Sequence, residues 1–195
     1  MLANGKFLAE IIRSVVILVL MSLLVGLAYP LLMMAVGQAV FPKQVNGSLI
    51  YNAQGQVLGS SLIGQNFTAA GDFWTRPSPS GYNALASGGS NLGPTNPQLL
   101  AYIQKRINLL QSENPNQVGP IPIDLVTASG SGLDPDISVA AAEYQANRVA
   151  VARHLDIATV NQLIAQNTVG RTWGIIGEPY VNVWQLNRVL DAVGS

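Results

Sequence analysis

The sequence predicts an α+β protein: a single N-terminal transmembrane helix followed by one mixed α/β domain outside the cytoplasm. Three observations carry that prediction. No charged residue occurs between Arg13 and Lys43, so one stretch is long and apolar enough for a bilayer. Beyond it, short extended runs alternate with segments of helical periodicity, as a mixed domain requires. Charged residues make up only 10% of the chain against 49% apolar, with a mean hydropathy of +0.30. A soluble domain carries about 25% charge.

The span is expected over Val15–Val36, 22 residues that read VVILVLMSLLVGLAYPLLMMAV. At about 1.5 Å per residue it covers roughly 33 Å, enough for a hydrocarbon slab of about 30 Å. A cleaved signal peptide has a shorter apolar region and a small-x-small site after it, so retention is expected. Pro30 predicts a kink, which a membrane helix tolerates. Ser22 and Gly26, four apart, suit a close helix neighbour and equally a chance spacing. Lys6 and Arg13 precede the span and only Lys43 follows closely, so the positive-inside rule places residues 1–14 in the cytoplasm. Residues 15–36 then cross the membrane and 37–195 form the extracytoplasmic domain, whose 153 residues from Lys43 onward suffice for one core.

Within that domain, Asn46–Ser60 alternates around Asn52-Ala53-Gln54-Gly55 and predicts a β-hairpin. Thr75–Pro97 is too rich in Gly and Pro for a regular element. Asn96 as N-cap and Pro97 at the first position open a helix with Leu100, Ile103, Ile107 and Leu110 on its apolar face. An extended strand is expected over Ile121–Val126. A glycine-rich turn, Thr127–Leu133, then leads to a helix capped by Asp134, with Ala140, Tyr144, Val151 and Leu155 on one side and Arg148 and Arg153 free for solvent or carboxylates. Strand, glycine loop and helix resemble a phosphate cradle. No lysine follows the glycines, however, and a capping carboxylate would occupy the phosphate position. His154, near the helix end, is expected to cap or lie at the surface. Thr159 and Gln162 fit a capping box for a short helix carrying Val160, Leu163 and Ile164, ended by Gly170. The tail, Gly177–Asn187, predicts a short apolar stretch running into a terminal helix with Leu186, Val189 and Leu190.

Composition removes whole classes of function. Ten basic and ten acidic residues cancel, leaving no long-range field for nucleic acid. With no Cys and one His, thiol nucleophiles, disulfide frameworks and zinc sites lack their ligands, so no metal site is expected. No Walker lysine motif occurs, and no Asp precedes Lys-Thr. No Ser or Cys pairs with His154, and no catalytic residue is expected. The 13 Gln and 15 Asn leave a polar, uncharged surface suited to a partner or a membrane.

Several motifs in order give this chain a family resemblance. They are Tyr29-Pro30 within the span, Phe41-Pro42 followed by Asn46-Gly47-Ser48, Arg76-Pro77-Ser78, the run from Ser87 to Pro97, the run from Asp124 to Pro135, and Gly177-Glu178-Pro179 through Leu186-Asn187. The chain resembles, from anchor to last helix, the C subunit of the bacterial Kdp-type potassium-transporting ATPase. One departure is Asp136, where the family's run usually continues with His. The resemblance implies a non-catalytic subunit of a high-affinity, ATP-driven potassium uptake pump in the bacterial inner membrane. Its partners would be a channel-like potassium-translocating subunit, a P-type ATPase subunit that becomes phosphorylated, a small single-span subunit, and membrane lipid. It further implies a role in assembly and as a catalytic chaperone that raises ATP affinity. Ser87-Gly88-Gly89-Ser90-Asn91 is similar to the Ser-Gly-Gly-Gln signature of ABC transporters, which makes these five residues the candidate nucleotide-contacting loop. An extracytoplasmic domain does not meet cytoplasmic ATP. The preferred expectation for Ser87, Gly88, Gly89, Ser90 and Asn91 is therefore a docking loop, with no firmly bound cofactor and ATP acting only through the complex. The rival from another class is a membrane-anchored extracytoplasmic enzyme or binding domain working alone.

Overall fold

The computed structural model describes residues 2–52 and 54–193. The chain divides after Leu49 into two compact units.

The first unit is the apolar helix. α1 (Leu2–Leu23) and α2 (Tyr29–Val40) flank a π-helical turn over Leu24–Ala28. There the Tyr29 N–H reaches back five residues to the Leu24 carbonyl. Pro30 explains the turn, because in a regular α-helix its ring would press on the carbonyl four residues earlier, and a wider turn relieves that clash. The apolar stretch from Lys6 to Val40 is long enough to cross a membrane and extends past the expected 15–36 window at both ends. A single turn, α3 (Pro42–Val45), follows.

The boundary falls just inside the expected hairpin, which leads into the second unit. β1 (Leu49–Tyr51) pairs with β2 (Val57–Ser60). Asn52 holds the turn by accepting from the N–H groups of Gln54 at 3.0 Å and Gln56 at 2.8 Å, as an Asx residue does. The region 75–96 is loop apart from a short 3-10 turn at Ala84–Ala86, and α4 (Pro97–Glu113) begins as expected, with the Asn96 carboxamide accepting from the Gln98 N–H. On α4 only Leu110 is fully buried. Leu100 points to solvent, and the buried face instead passes through Leu99 and Ile103.

The expected strand over Ile121–Val126 is a 3-10 turn, Ile123–Leu125. Pro120 and Pro122 have no N–H to donate to a ladder, which disfavours a strand there. The helix expected from Asp134 starts later. Residues Asp136–Ser138 form β3, and α5 (Val139–Arg153) is capped by Ser138, whose hydroxyl accepts from the Ala141 N–H. Asp134 caps no helix and pairs with Arg76 instead. α6 (Ile157–Gln166) is capped by Asp156, not by Thr159, and carries Val160, Leu163 and Ile164 inward as expected. β4 (Thr168–Val169) and β5 (Tyr180–Asn182) complete an antiparallel sheet of order β3-β5-β4. α7 (Val183–Val193) follows without a loop.

The core lies where α5, α6 and α7 cover this sheet. Ile137 of β3 and Val181 of β5 are paired in register and both buried. Leu186 and Leu190 of α7 are fully buried, as the tail predicted, and burying each side chain stabilises the fold by about 1.5–3 kcal/mol. α5 is buried on most of its circumference. Its expected face is wrong at Val151 and Ala140, which are exposed. His154 is exposed and ends α5 in the left-handed conformation, φ 55°, as a capping residue.

Candidate functional site

Two glycine-rich loops that are far apart in sequence face each other across backbone contacts. One holds Ser87–Asn91, the other Ser129–Gly132. The Ser131 carbonyl accepts from the Gly88 N–H at 2.8 Å and from the Ser87 hydroxyl at 3.0 Å. Close approach demands the missing side chains. A Cβ on Gly89 would lie 3.2 Å from the Gly130 carbonyl oxygen, and one on Gly132 would lie 2.7 Å from that of Gly88. Gly132 also sits at φ +65°, a region that disfavours side chains. Gly88 and Gly89 do not adopt positive φ; in their loop it is Asn91, at 53°, that does.

The neighbouring segment supports the pair. Ser78 accepts from the Tyr82 N–H at 2.8 Å and donates to the Gly132 carbonyl. Arg76 bridges to Asp134 at 3.1 Å and donates to the Ala128 carbonyl at 3.3 Å. The Tyr82 hydroxyl donates to the Arg76 carbonyl at 2.7 Å. All these partners are local except for the step between residues 76–88 and 128–134, so the hydrogen bonds act as a seam between two otherwise irregular stretches.

Beside the seam lies a groove of about 650 Å³, walled by Gly89, Ser90 and Leu92 on one side and by Leu99, Tyr102 and Lys105 of α4 on the other. Arg106 forms part of its floor. Its guanidinium donates to the carbonyls of Leu125 at 2.9 Å and Thr75 at 3.3 Å and lies 5.4 Å from the Trp74 ring centre. Burial pulls the Arg106 pKa down, and the neighbouring Tyr82 opposes that. The groove is thus mainly apolar with a cationic edge. At the far end of the same loop Leu85 is 97% exposed, on a 3-10 turn whose cap is the Asn83 carboxamide. Such a surface can seat a partner.

The other sequence candidates lie apart from the seam. His154 is at the C-terminus of α5. Asp136 opens β3, where its carboxylate accepts from the Asn182 carboxamide at 2.9 Å. Burial first, and the nearby Asp134 charge as a smaller cause, push its pKa up, with the Asn182 hydrogen bond opposing. Arg153 meets the carboxylates of Asp72 and Asp191, each at 2.8 Å, as expected. Arg148, expected to meet solvent or carboxylates, is instead buried against neutral acceptors. It donates to the carbonyls of Ala69 and Ala70 and to Gln145, and stacks 4.3 Å from the Trp74 ring centre. Burial lowers its pKa to about 10. Among the described residues no three His, Asp or Glu side chains stand together in a way that could hold a metal ion.

Sequence reasoning found the Ser87–Asn91 loop and the Thr127–Leu133 turn separately but not their pairing. Ser131 as common acceptor and Lys105 and Arg106 as groove residues were missed. The available signal was the lack of any helix or strand pattern in both glycine-rich runs, each of which needs outside partners for its backbone groups.

A sequence model of the KdpC family, described as K+-transporting ATPase, c chain, matches residues 11–192. The Potassium-transporting ATPase KdpC subunit of Methylococcus capsulatus is 52% identical over 183 residues, covering 92% of this chain and 96% of that protein. The protein of that name from Burkholderia ambifaria is 54% identical over 181 residues, covering 91% and 93%. The one from Polynucleobacter asymbioticus is 51% identical over 186 residues, covering 93% and 98%. The matched stretch includes most of the apolar helix, the two-loop seam and nearly all of the last helix, and on that basis the chain belongs to the KdpC family of K+-transporting ATPase c chains.

Proposed function

We propose that this chain is a non-catalytic subunit of an ATP-driven potassium uptake pump, needed for assembly of the complex. One helix anchors it in the bacterial inner membrane, with a cytoplasmic N-terminus and the α+β domain on the extracytoplasmic side. Its partners are a channel-like potassium-translocating subunit, a phosphorylated P-type ATPase subunit and a small single-span subunit. The family match and the names of its relatives support the pump. The balance of Lys6 and Arg13 against Lys43 supports the orientation.

The Ser87–Asn91 loop acts as a docking element in this reading, and one observation carries it. Two donors that a phosphate would draw on, the Gly88 N–H and the Ser87 hydroxyl, are already engaged by the Ser131 carbonyl. The exposed Leu85 beside them favours a protein surface as the counterpart. Any rise in the ATP affinity of the catalytic subunit is then a coupling free energy passed through the membrane subunits.

The test is the ATP dependence of the purified complex carrying Ser90→Ala. The Ser90 hydroxyl accepts only a long bond, 3.5 Å, from the Leu92 N–H, so its removal leaves the seam in place. An unchanged apparent ATP affinity is expected. Loss of a hydrogen bond to a charged phosphate, about 1.5–3 kcal/mol, would weaken it about ten-fold or more and overturn the docking reading.

A further inference from the structure

The connection between β4 and β5 ends in a small apolar knob. Trp173 is 85% exposed, Ile175 74% and Ile176 54%. Their backbone is nonetheless fixed. The Thr172 N–H donates to the Ile176 carbonyl at 2.8 Å, and the Ile176 N–H donates back to the Thr172 carbonyl at 3.0 Å. At the base, Arg171 holds both carboxylate oxygens of Glu178 at 2.8 and 2.7 Å. Holding the tip this way is unfavourable in itself. Trp173 sits at φ 54° and Gly174 at 79°, and a bulky residue is strained in that left-handed region. The Trp173 ring gains little burial within the domain to offset the strain.

We propose that this knob is an anchor that inserts into an uncharged apolar pocket on another subunit of the pump, an inference that rests on the reading of the chain as a pump subunit. Charge defines the counterpart. No charged residue lies between Arg171 and Glu178, and these two neutralise each other, so the matching surface has an apolar centre. The ion pair around the base supplies a polar rim of the kind that excludes water from a central aromatic contact. Rigidity distinguishes a protein from a bilayer. Fluid lipid accepts an apolar side chain in any conformation, whereas a shaped pocket binds a preorganised tip more tightly because less ordering remains to be done on contact. A braced, strained tip fits the pocket.

The chain contains no Cys, so Ile175→Cys creates one labelling position. Carrying a benzophenone maleimide there, the complex purified into lipid nanodiscs should yield, on irradiation, a covalent adduct with one other subunit. Adducts confined to lipid, adducts between two copies of this chain, or no adduct would each overturn the proposal. Affinity gives a second readout through Trp173→Gly, which removes the ring and also the left-handed strain. The variant should melt at or above the parent temperature while its affinity for the remaining subunits falls about thirty-fold. Parent-like affinity would overturn the anchor role. The two readings fail in different ways: a parent chain that never co-purifies with other subunits removes both, whereas a parent complex that assembles without an Ile175 adduct removes the knob alone.

Discussion

The carboxamide of Asn187 takes both backbone groups of Phe73, accepting from its N–H at 2.8 Å and donating to its carbonyl at 3.0 Å. Gln145 does the same for Trp74, at 2.8 and 3.2 Å. Phe73, Trp74, Gln145 and Asn187 are all buried. Two side chains from α7 and α5 thus replace the strand neighbour that this irregular segment lacks, which lets two large aromatic residues enter the core without orphaned backbone polar groups.

Asn187→Leu should leave the Phe73 N–H and carbonyl buried without partners. At about 1–3 kcal/mol for each of the two buried polar groups left unsatisfied, a loss of about 2–6 kcal/mol is expected. Urea unfolding of the full chain in detergent measures it. An unchanged midpoint would show that the segment finds other partners.

Asp136 gives a pH dependence of definite sign. Burial raises its carboxyl pKa, so the native state holds the proton more tightly than the unfolded chain. Its contribution to stability is complete below the ordinary carboxylate range and is lost as pH rises through the raised native value. Asp136→Asn keeps an acceptor for Asn182 and removes the charge. The variant should melt up to about 2 °C higher at pH 7, and the difference should close below about pH 4. A variant that melts lower than the parent at pH 7 would contradict this.

The seam should fail at Gly132 before it fails at Ser90. A methyl group on Gly132 meets the Gly88 carbonyl at 2.7 Å and must hold φ +65°, a combination that costs about 1–3 kcal/mol. Gly132→Ala should therefore lower the yield of intact complex, as should Gly89→Val, while Ser90→Ala retains it. Equal yields from all three variants, quantified by size-exclusion chromatography, would remove the seam from assembly.

Topology can be read at Val118, which is 93% exposed. In a chain without cysteine, Val118→Cys should react with a membrane-impermeant maleimide in intact spheroplasts. Labelling only after lysis would put the domain in the cytoplasm and bring direct ATP contact back into consideration.

Legibility in the sequence followed the locality of the physics. Asn96-Pro97 announces α4 because cap and first-turn proline act within three residues of each other. The starts of α5 and α6 were misplaced because Asp134 and Ser138, or Asp156 and Thr159, are equally good caps in isolation. The choice between them depends on β3, a three-residue strand that exists through pairing with β5, more than forty residues away. The burial of Arg148 against backbone carbonyls was not legible, because α5 is buried nearly all round and carries no apolar stripe against which an inward arginine stands out. At the site, the glycines were visible and their counterparts were not, since a backbone carbonyl such as that of Ser131 has no sequence signature.

The π-helical turn has a consequence for whatever lies beside the anchor. An α-helix rotates about 100° per residue, and a wide turn holds an extra residue, so the outward directions of side chains above Ala28 are out of phase with those below Leu24. A straight neighbouring helix that follows one stripe of α1 loses it on reaching α2. Ser22 lies before the turn and Gly26 within it, so the two small residues do not extend into one continuous groove. The two halves of the anchor present different edges at different depths of the bilayer, and two neighbours can each read one of them.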